Sequence, residues 1–213
     1  MRHLTHKTTA AGLGFSLLLL ALLCTGSAPA AAQSTARFEF GPEITQFYLN
    51  GPGSTAYQPA LGGFFSVRIA PHIDFDSAVS VTPKIPSEGN LLNQGHMTQG
   101  FFGARSGFSK GRVTFYAKAR PGFVSWGDSL LRFVGPGPIY VPQFGRLTEP
   151  TLDVGSIVTV RISHRYAVRY EAGDTIIFYR PITWFAGEPP SAAVAVHHFQ
   201  FAAGFVFRFG GGK

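Results

Sequence analysis

The stretch His197–Phe209, HHFQFAAGFVFRF, narrows the possible folds more than any other part of the chain. With a period of two it places Phe199, Phe201, Ala203, Phe205, Phe207 and Phe209 on one face of a strand. His198, Gln200, Ala202, Gly204, Val206 and Arg208 fall on the other. One face is almost wholly aromatic; the opposite face is small or polar and carries a cation. A face built of phenylalanine must either pack a core or meet a medium as apolar as a core. The lipid face of a closed transmembrane barrel is such a medium.

The N-terminus bears on that choice. Arg2, His3, His6 and Lys7 precede an apolar run from Leu13 to Leu23, and Ala30-Ala31-Ala32 stand before Gln33. This pattern predicts a secretory signal peptide over residues 1–32, because the apolar run is too short to span a bilayer and has no stop-transfer flank. Cys24, the only cysteine, lies in that segment, and Ala21-Leu22-Leu23 before it does not make a good lipoprotein cleavage site. Residues 33–213 therefore form a domain without disulfides or thiolate metal ligands. The net charge of +7 falls to +5 once Arg2 and Lys7 are set aside, since no acid precedes Glu39. The excess is spread along the chain with no Lys/Arg block, which argues against a nucleic-acid partner.

No helical period persists, whereas alternation and turn residues do, so the domain reads as all-β. The predicted strands are Arg37–Leu49, Leu61–Ala70, Ile73–Thr82, Met97–Ser106, Val113–Trp126, Thr151–Ser163, Tyr166–Tyr179 and the terminal stretch. Long connections (Asn50–Gln58, Pro83–His96, Asp128–Pro150, Pro181–Ala195) alternate with short ones at Pro71-His72, Phe108–Gly111 and His164-Arg165. Eight antiparallel strands with short turns at one end and long loops at the other describe an up-and-down transmembrane β-barrel. Asp174 strains the count, because it falls on the apolar parity. Either Gly173 marks a bulge, or the strand has left the membrane by then. An alternative of ten strands follows if Ala172–Thr175 is a hairpin turn and Ile139–Phe144 supplies a further strand.

Alternation alone does not say which face is inside, since a soluble lipocalin-like barrel has the opposite polarity. The polar parity carries Glu39, Glu43, Asp74, Asp76, Asp153 and Glu171 with Arg68, Arg105, Lys118, Arg120, Arg161, Arg169 and Arg208, interleaved with Gly, Ala, Ser and Thr. An Arg-rich, nearly balanced set suits charges paired across a narrow bore, whereas a soluble exterior uses Lys and Glu freely. The other parity is too bulky for an eight-stranded interior. Aromatics also gather at the strand ends, with Phe47, Tyr48, Trp126, Phe178, Tyr179 and Trp184 at the long-loop end and Phe108, Tyr166 and Phe209 at the other, as interfacial girdles do.

With these residues in view, the chain resembles the OmpA-like and OmpX-like eight-stranded outer-membrane barrels, whose terminal strand is likewise rich in alternating aromatics. The resemblance is one of pattern over nearly all of residues 33–213, and it carries architecture without functional residues. It implies an outer-membrane location, lipid as the surrounding partner and insertion by the barrel-assembly machinery. The family ends its last strand on an aromatic at the final position, whereas here Gly210–Lys213 follow Phe209.

The candidate chemistry is sparse. Ser163-His164 with Glu171 invites a lipid-modifying hydrolase, but the pair sits in a predicted short turn. His197 and His198 point to opposite faces of a strand, so the two cannot share a metal without a bulge, and with His96 in a loop they make a poor zinc or copper site. Gly135-Pro136-Gly137-Pro138 lacks the strand-to-helix context of a phosphate loop. The expectation is a monomeric, non-enzymatic, porin-like barrel in the Gram-negative envelope. It has no catalytic, cofactor or metal residues, and its lumen is lined and plugged by charge. The alternatives are an outer-membrane lipid hydrolase and a soluble secreted binding barrel.

Overall fold

The computed structural model describes residues 37–51, 54–83, 95–134, 141–183 and 189–210. The predicted signal peptide with Cys24, Gly135–Pro138, Trp184 and most of Pro83–His96 lie outside these residues. The strands are β1 (Phe38–Gly51), β2 (Ser54–Ala70), β3 (Ile73–Thr82), β4 (Met97–Lys110), β5 (Val113–Val134), β6 (Val141–Arg161), β7 (Tyr166–Tyr179) and β8 (Val194–Phe209). Each pairs antiparallel with its sequence neighbours, and β1 closes on β8. The fold is a closed, all-antiparallel, eight-stranded barrel.

Closure has a definite stagger. From Phe38, successive partners around the circuit are Val67, Phe75, Ala104, Ala119, Val154, Asp174 and Phe199. Phe38 itself pairs with Phe209, ten residues further along β8. The strands therefore tilt against the barrel axis. Because ten is even, inward and outward parity survive the full turn. An odd offset would put phenylalanine opposite arginine at the seam.

Parity decides the faces. Phe40, Phe65, Phe102, Phe115, Phe123, Phe199, Phe201, Phe205 and Phe209 are exposed on the outside, together with Ile44, Leu61 and Val79. Glu39, Glu43, Asp74, Asp76, Asp153 and Glu171 are buried inside with Arg105, Lys118, Arg120, Arg169 and Arg208. An apolar surface continuous around a barrel far exceeds what a soluble monomer exposes. The polarity is that of a transmembrane barrel and the inverse of a soluble one.

The predicted limits hold for β3 and β7, while other strands run longer. Past Trp126↔Leu147, β5 and β6 pair only with each other, ending at Val134↔Val141. Residues read as a Pro/Gly-rich loop thus form a two-stranded ribbon beyond the rim. Pro142 and Pro150 are tolerated because β7 pairing begins only at Thr151, leaving their ladder positions one-sided. The ribbon bends at register shifts after Trp126 and Leu130, where Asp128 adopts φ 52, a left-handed conformation that aspartate tolerates better than most residues. A second ribbon extends β1 and β2 through Gly51↔Ser54, where a turn-rich segment was expected.

Short turns close the other end at Pro71-His72, Gly111-Arg112 and residues 162–165. β4 runs on through the predicted turn Phe108–Gly111 as far as Lys110. Gly111, at φ 64, takes the first position of a two-residue turn, as type II′ hairpins require.

Eight strands stand and ten do not. Ala172–Thr175 lies inside a continuous β7, and Val141–Phe144 is the start of β6. Nor is there a bulge at Gly173, because β6 and β7 pair without a shift through Gly155↔Gly173 and Val154↔Asp174. Asp174 keeps its outward parity, and its Oδ2 lies 2.5 Å from Nδ1 of His197 on the same face.

Candidate functional site in the barrel lumen

The inward parity of each strand changes character along its length. On β1 it passes from Glu39 and Glu43 through Thr45 to Phe47 and Leu49, on β5 from Lys118 and Arg120 to Val124 and Trp126, and on β7 from Arg169 and Glu171 through Thr175 to Ile177. The bore therefore has a charged storey toward the short turns, a neutral polar storey, and an apolar storey toward the long connections.

The charged storey is a continuous ion-paired network. Arg105 on β4 reaches Glu39 on β1 at 2.5 Å and Asp74 on β3 at 2.9 Å, with Asp76 at 3.6 Å. Arg120 on β5 contacts Asp76 at 2.7 Å, Asp153 at 2.6 Å and Glu171 at 2.8 Å. Lys118 lies 2.9 Å from Asp153 and 2.8 Å from Glu171. Arg169 donates to both oxygens of Asp76, at 2.8 and 2.9 Å, and pairs with Glu171 beside it. Arg208 holds Glu39 at 3.0 Å, and Arg68 meets Asp74 at 3.4 Å near the lip. Arg105, Arg120 and Arg169 each engage several acceptors through the planar fork of the guanidinium.

Aromatic rings enter this storey as supports for the cations. The guanidinium carbon of Arg105 lies 4.2 Å from the Tyr116 ring centroid, that of Arg169 4.3 Å from Phe64, and that of Arg120 5.6 Å from Phe101. Their quadrupoles add attraction where water is excluded. Missing side chains make the room. A Cβ on Gly122 would sit 2.6 Å from Phe101 Cδ1 and 2.2 Å from the Gly100 carbonyl oxygen, so only glycine fits beneath that ring.

Above this lie Thr45, Ser80, Gln99, Thr151, Thr175 and Gln200, all buried, with Gln99 donating to Ser80 at 2.7 Å and Thr175 to Gln200 at 3.2 Å. The apolar storey packs Phe47, Leu49, Met97, Val124, Trp126 and Ile177, with Leu147 and Tyr179 against them. Trp126 stacks on Tyr179 with centroids 6.0 Å apart. This corrects the girdle reading of Tyr179, which packs inside the bore, and of Phe47 and Trp126, which are 0% and 2% exposed. Phe47 and Trp126 share the parity of their strands' charged residues, so periodicity alone would have placed them inside. Phe178, Phe108, Tyr166 and Phe209 do face outward.

Other residues singled out from the sequence do not assemble. Ser163 and His164 occupy the exposed turn after β6, where Ser163 Oγ accepts from the backbone N–H of Arg165 and of Tyr166. Glu171 is bound inside the lumen to Lys118, Arg120 and Arg169. His197 faces outward against Asp174. His198 is buried in the bore near Phe47, and His96 contacts Arg146 at 3.3 Å. Phe64, Phe101 and Tyr116 are lumen residues whose role as cation supports the sequence did not reveal; their signal was an aromatic on the polar parity.

The chain matches no family model and no curated protein. Among solved structures it is similar to neisserial surface protein A (NspA), at 14% identity over 81% of this chain and 97% of that one, with a TM-score of 0.57. Weaker likenesses extend to Ail of Yersinia pestis (11% identity, 82% and 97% covered, TM-score 0.49) and OprH of Pseudomonas aeruginosa (12%, 82% and 100%, 0.47). At such identity the likeness to NspA concerns the fold alone, and that fold is the eight-stranded transmembrane β-barrel that the lumen and its apolar jacket describe.

Proposed function

We propose that this chain is a monomeric integral protein of the outer membrane, without enzymatic activity, whose lumen is closed to solutes and whose barrel is a rigid base for structure displayed at the long-loop end. The observation that carries this reading is the filled bore: buried Arg, Lys, Asp and Glu pair across it, and an apolar storey covers them. A conducting pathway would need hydrated charges with spare donors, whereas these guanidinium groups are committed to carboxylates on several strands. Display is supported by the ribbon of β5 and β6, which leaves Val134, Val141 and Phe144 exposed beyond the rim. Residues 1–32 as a cleaved signal peptide, and insertion by the barrel-assembly machinery, belong to the same proposal.

Two measurements test it. The protein should be found in an outer-membrane fraction and migrate differently on gels before and after heating, as closed barrels do; recovery in the soluble fraction would overturn the location. In planar bilayers the purified barrel should show no steady conductance, and large, stable single-channel steps would overturn the closed lumen.

A further inference from the structure

At the short-turn end of the bore, Ser109, Arg112, Thr114, Thr159, Arg161 and Arg208 surround a cavity of about 10 Å3. No carboxylate lines it. Arg208 holds Glu39 through Nε at 3.0 Å, and Arg161 donates from Nη2 to the Gly111 carbonyl at 3.0 Å. Among the described residues neither Arg112 nor Arg161 has a carboxylate within ion-pair distance. This differs from the storey beyond it, where every guanidinium faces acids.

The hydroxyls supply a second, independent sign. Ser109, Thr114 and Thr159 follow one another across β4, β5 and β6 as cross-strand partners. Ser109 and Thr114 bond each other at 2.9 Å. Thr159, only 4% exposed, lines the cavity with an Oγ1 that has no partner. A buried hydroxyl left unpaired is costly, and a satisfied one costs little. Beside three guanidinium groups, the missing partner is an acceptor carrying negative charge.

We propose that this cavity binds a phosphate group. Its size admits about one oxygen atom, so one phosphate oxygen enters to accept from Thr159 and Arg208. The others stay at the mouth, where Arg112 and Arg161 meet them as charge-assisted donors. Tetrahedral oxygens accept from diverging directions, which suits donors carried on a turn, on β6 and on β8. The group comes either from free inorganic phosphate or from a phospholipid headgroup at that end of the barrel. Only the headgroup source rests on the outer-membrane reading.

The test uses the full chain refolded in maltoside micelles, which contain no phosphorus, with heat-modifiable migration run on every sample so that failure to fold is separated from failure to bind. Inorganic phosphate is titrated calorimetrically, and short-chain phosphatidylglycerol is titrated in parallel. Saturable binding of either probe is expected, weakened about tenfold in Arg161→Gln and severalfold in Thr159→Val, which keeps the shape of the side chain while removing its hydroxyl. Saturation by phosphate identifies the free ion as a ligand, and saturation by the lipid alone identifies the headgroup. Absence of saturable binding of both by folded protein, or binding that neither substitution changes, would overturn the site.

Discussion

Arg105 on β4 and Glu39 on β1 meet at 2.5 Å although their strands are not neighbours in the barrel. The pair spans the bore. Arg169 on β7 and Arg120 on β5 likewise both reach Asp76 on β3. Strand pairing fixes each strand to its neighbours, and these bonds fix strands to others lying across the lumen.

Arg120→Met should be the most damaging single change in the network, because it leaves Asp76, Asp153 and Glu171 facing one another with less compensation. A loss of about 3–5 kcal/mol is expected, the usual cost of breaking a buried ion pair from one side. Urea unfolding of the barrel refolded in lipid vesicles measures it. Arg208→Met should cost less than half as much, since Glu39 retains Arg105.

A double-mutant cycle on Glu39→Gln and Arg105→Met should show coupling of about 0.5–3 kcal/mol, as for residues within one network. The same cycle on Glu39 and Lys118, which share no bond and are joined through Arg105, Asp76, Arg120 and Glu171, should show weaker coupling. Equal coupling in both cycles would mean that the network acts as a diffuse field.

Membrane depth is tested on β8. Phe201→Arg, in the middle of the strand and exposed outward, should cost about 2–4 kcal/mol, and Phe209→Arg at its end about 0–1 kcal/mol. Equal costs at both sites would contradict lipid contact along this face.

Trp126→Ala should remove about 3–5 kcal/mol of packing from the apolar storey. It should create no conductance, because the ion pairs beneath remain in place. The two effects are read by unfolding and by planar-bilayer recording.

Replacing residues 129–146 by a two-residue turn should leave heat-modifiable migration intact, since that ribbon pairs only with itself. Loss of the folded band would show that the ribbon braces the rim.

Much of this was legible in the chain because a strand has a strict two-residue period. The parity that carries Glu39 and Glu43 also carries Phe47, and the parity of Lys118 and Arg120 also carries Trp126. Applied without exception, periodicity places all of them in the bore. The girdle argument failed for Phe47, Trp126 and Tyr179 because aromatics near strand ends have two outlets, lipid headgroups and the apolar end of the lumen, and residue type does not distinguish them. The ribbons were missed because Pro and Gly mark turns in a two-sided sheet but are tolerated where a strand has one partner.

By itself, then, the sequence determined the antiparallel order of the strands and which residues share a face, since alternation is local and a slip of one residue would turn several cations toward lipid, while it left eight and ten strands both open. The tertiary structure decided what no local pattern contains: the ten-residue stagger between Phe199 and Phe209, the choice of Asp76 as the acid shared by Arg105, Arg120 and Arg169, and the gathering of Ser109, Thr159 and Arg208 around one cavity. Those depend on closure, because residues far apart in the chain come to face each other across a bore only when the first and last strands join.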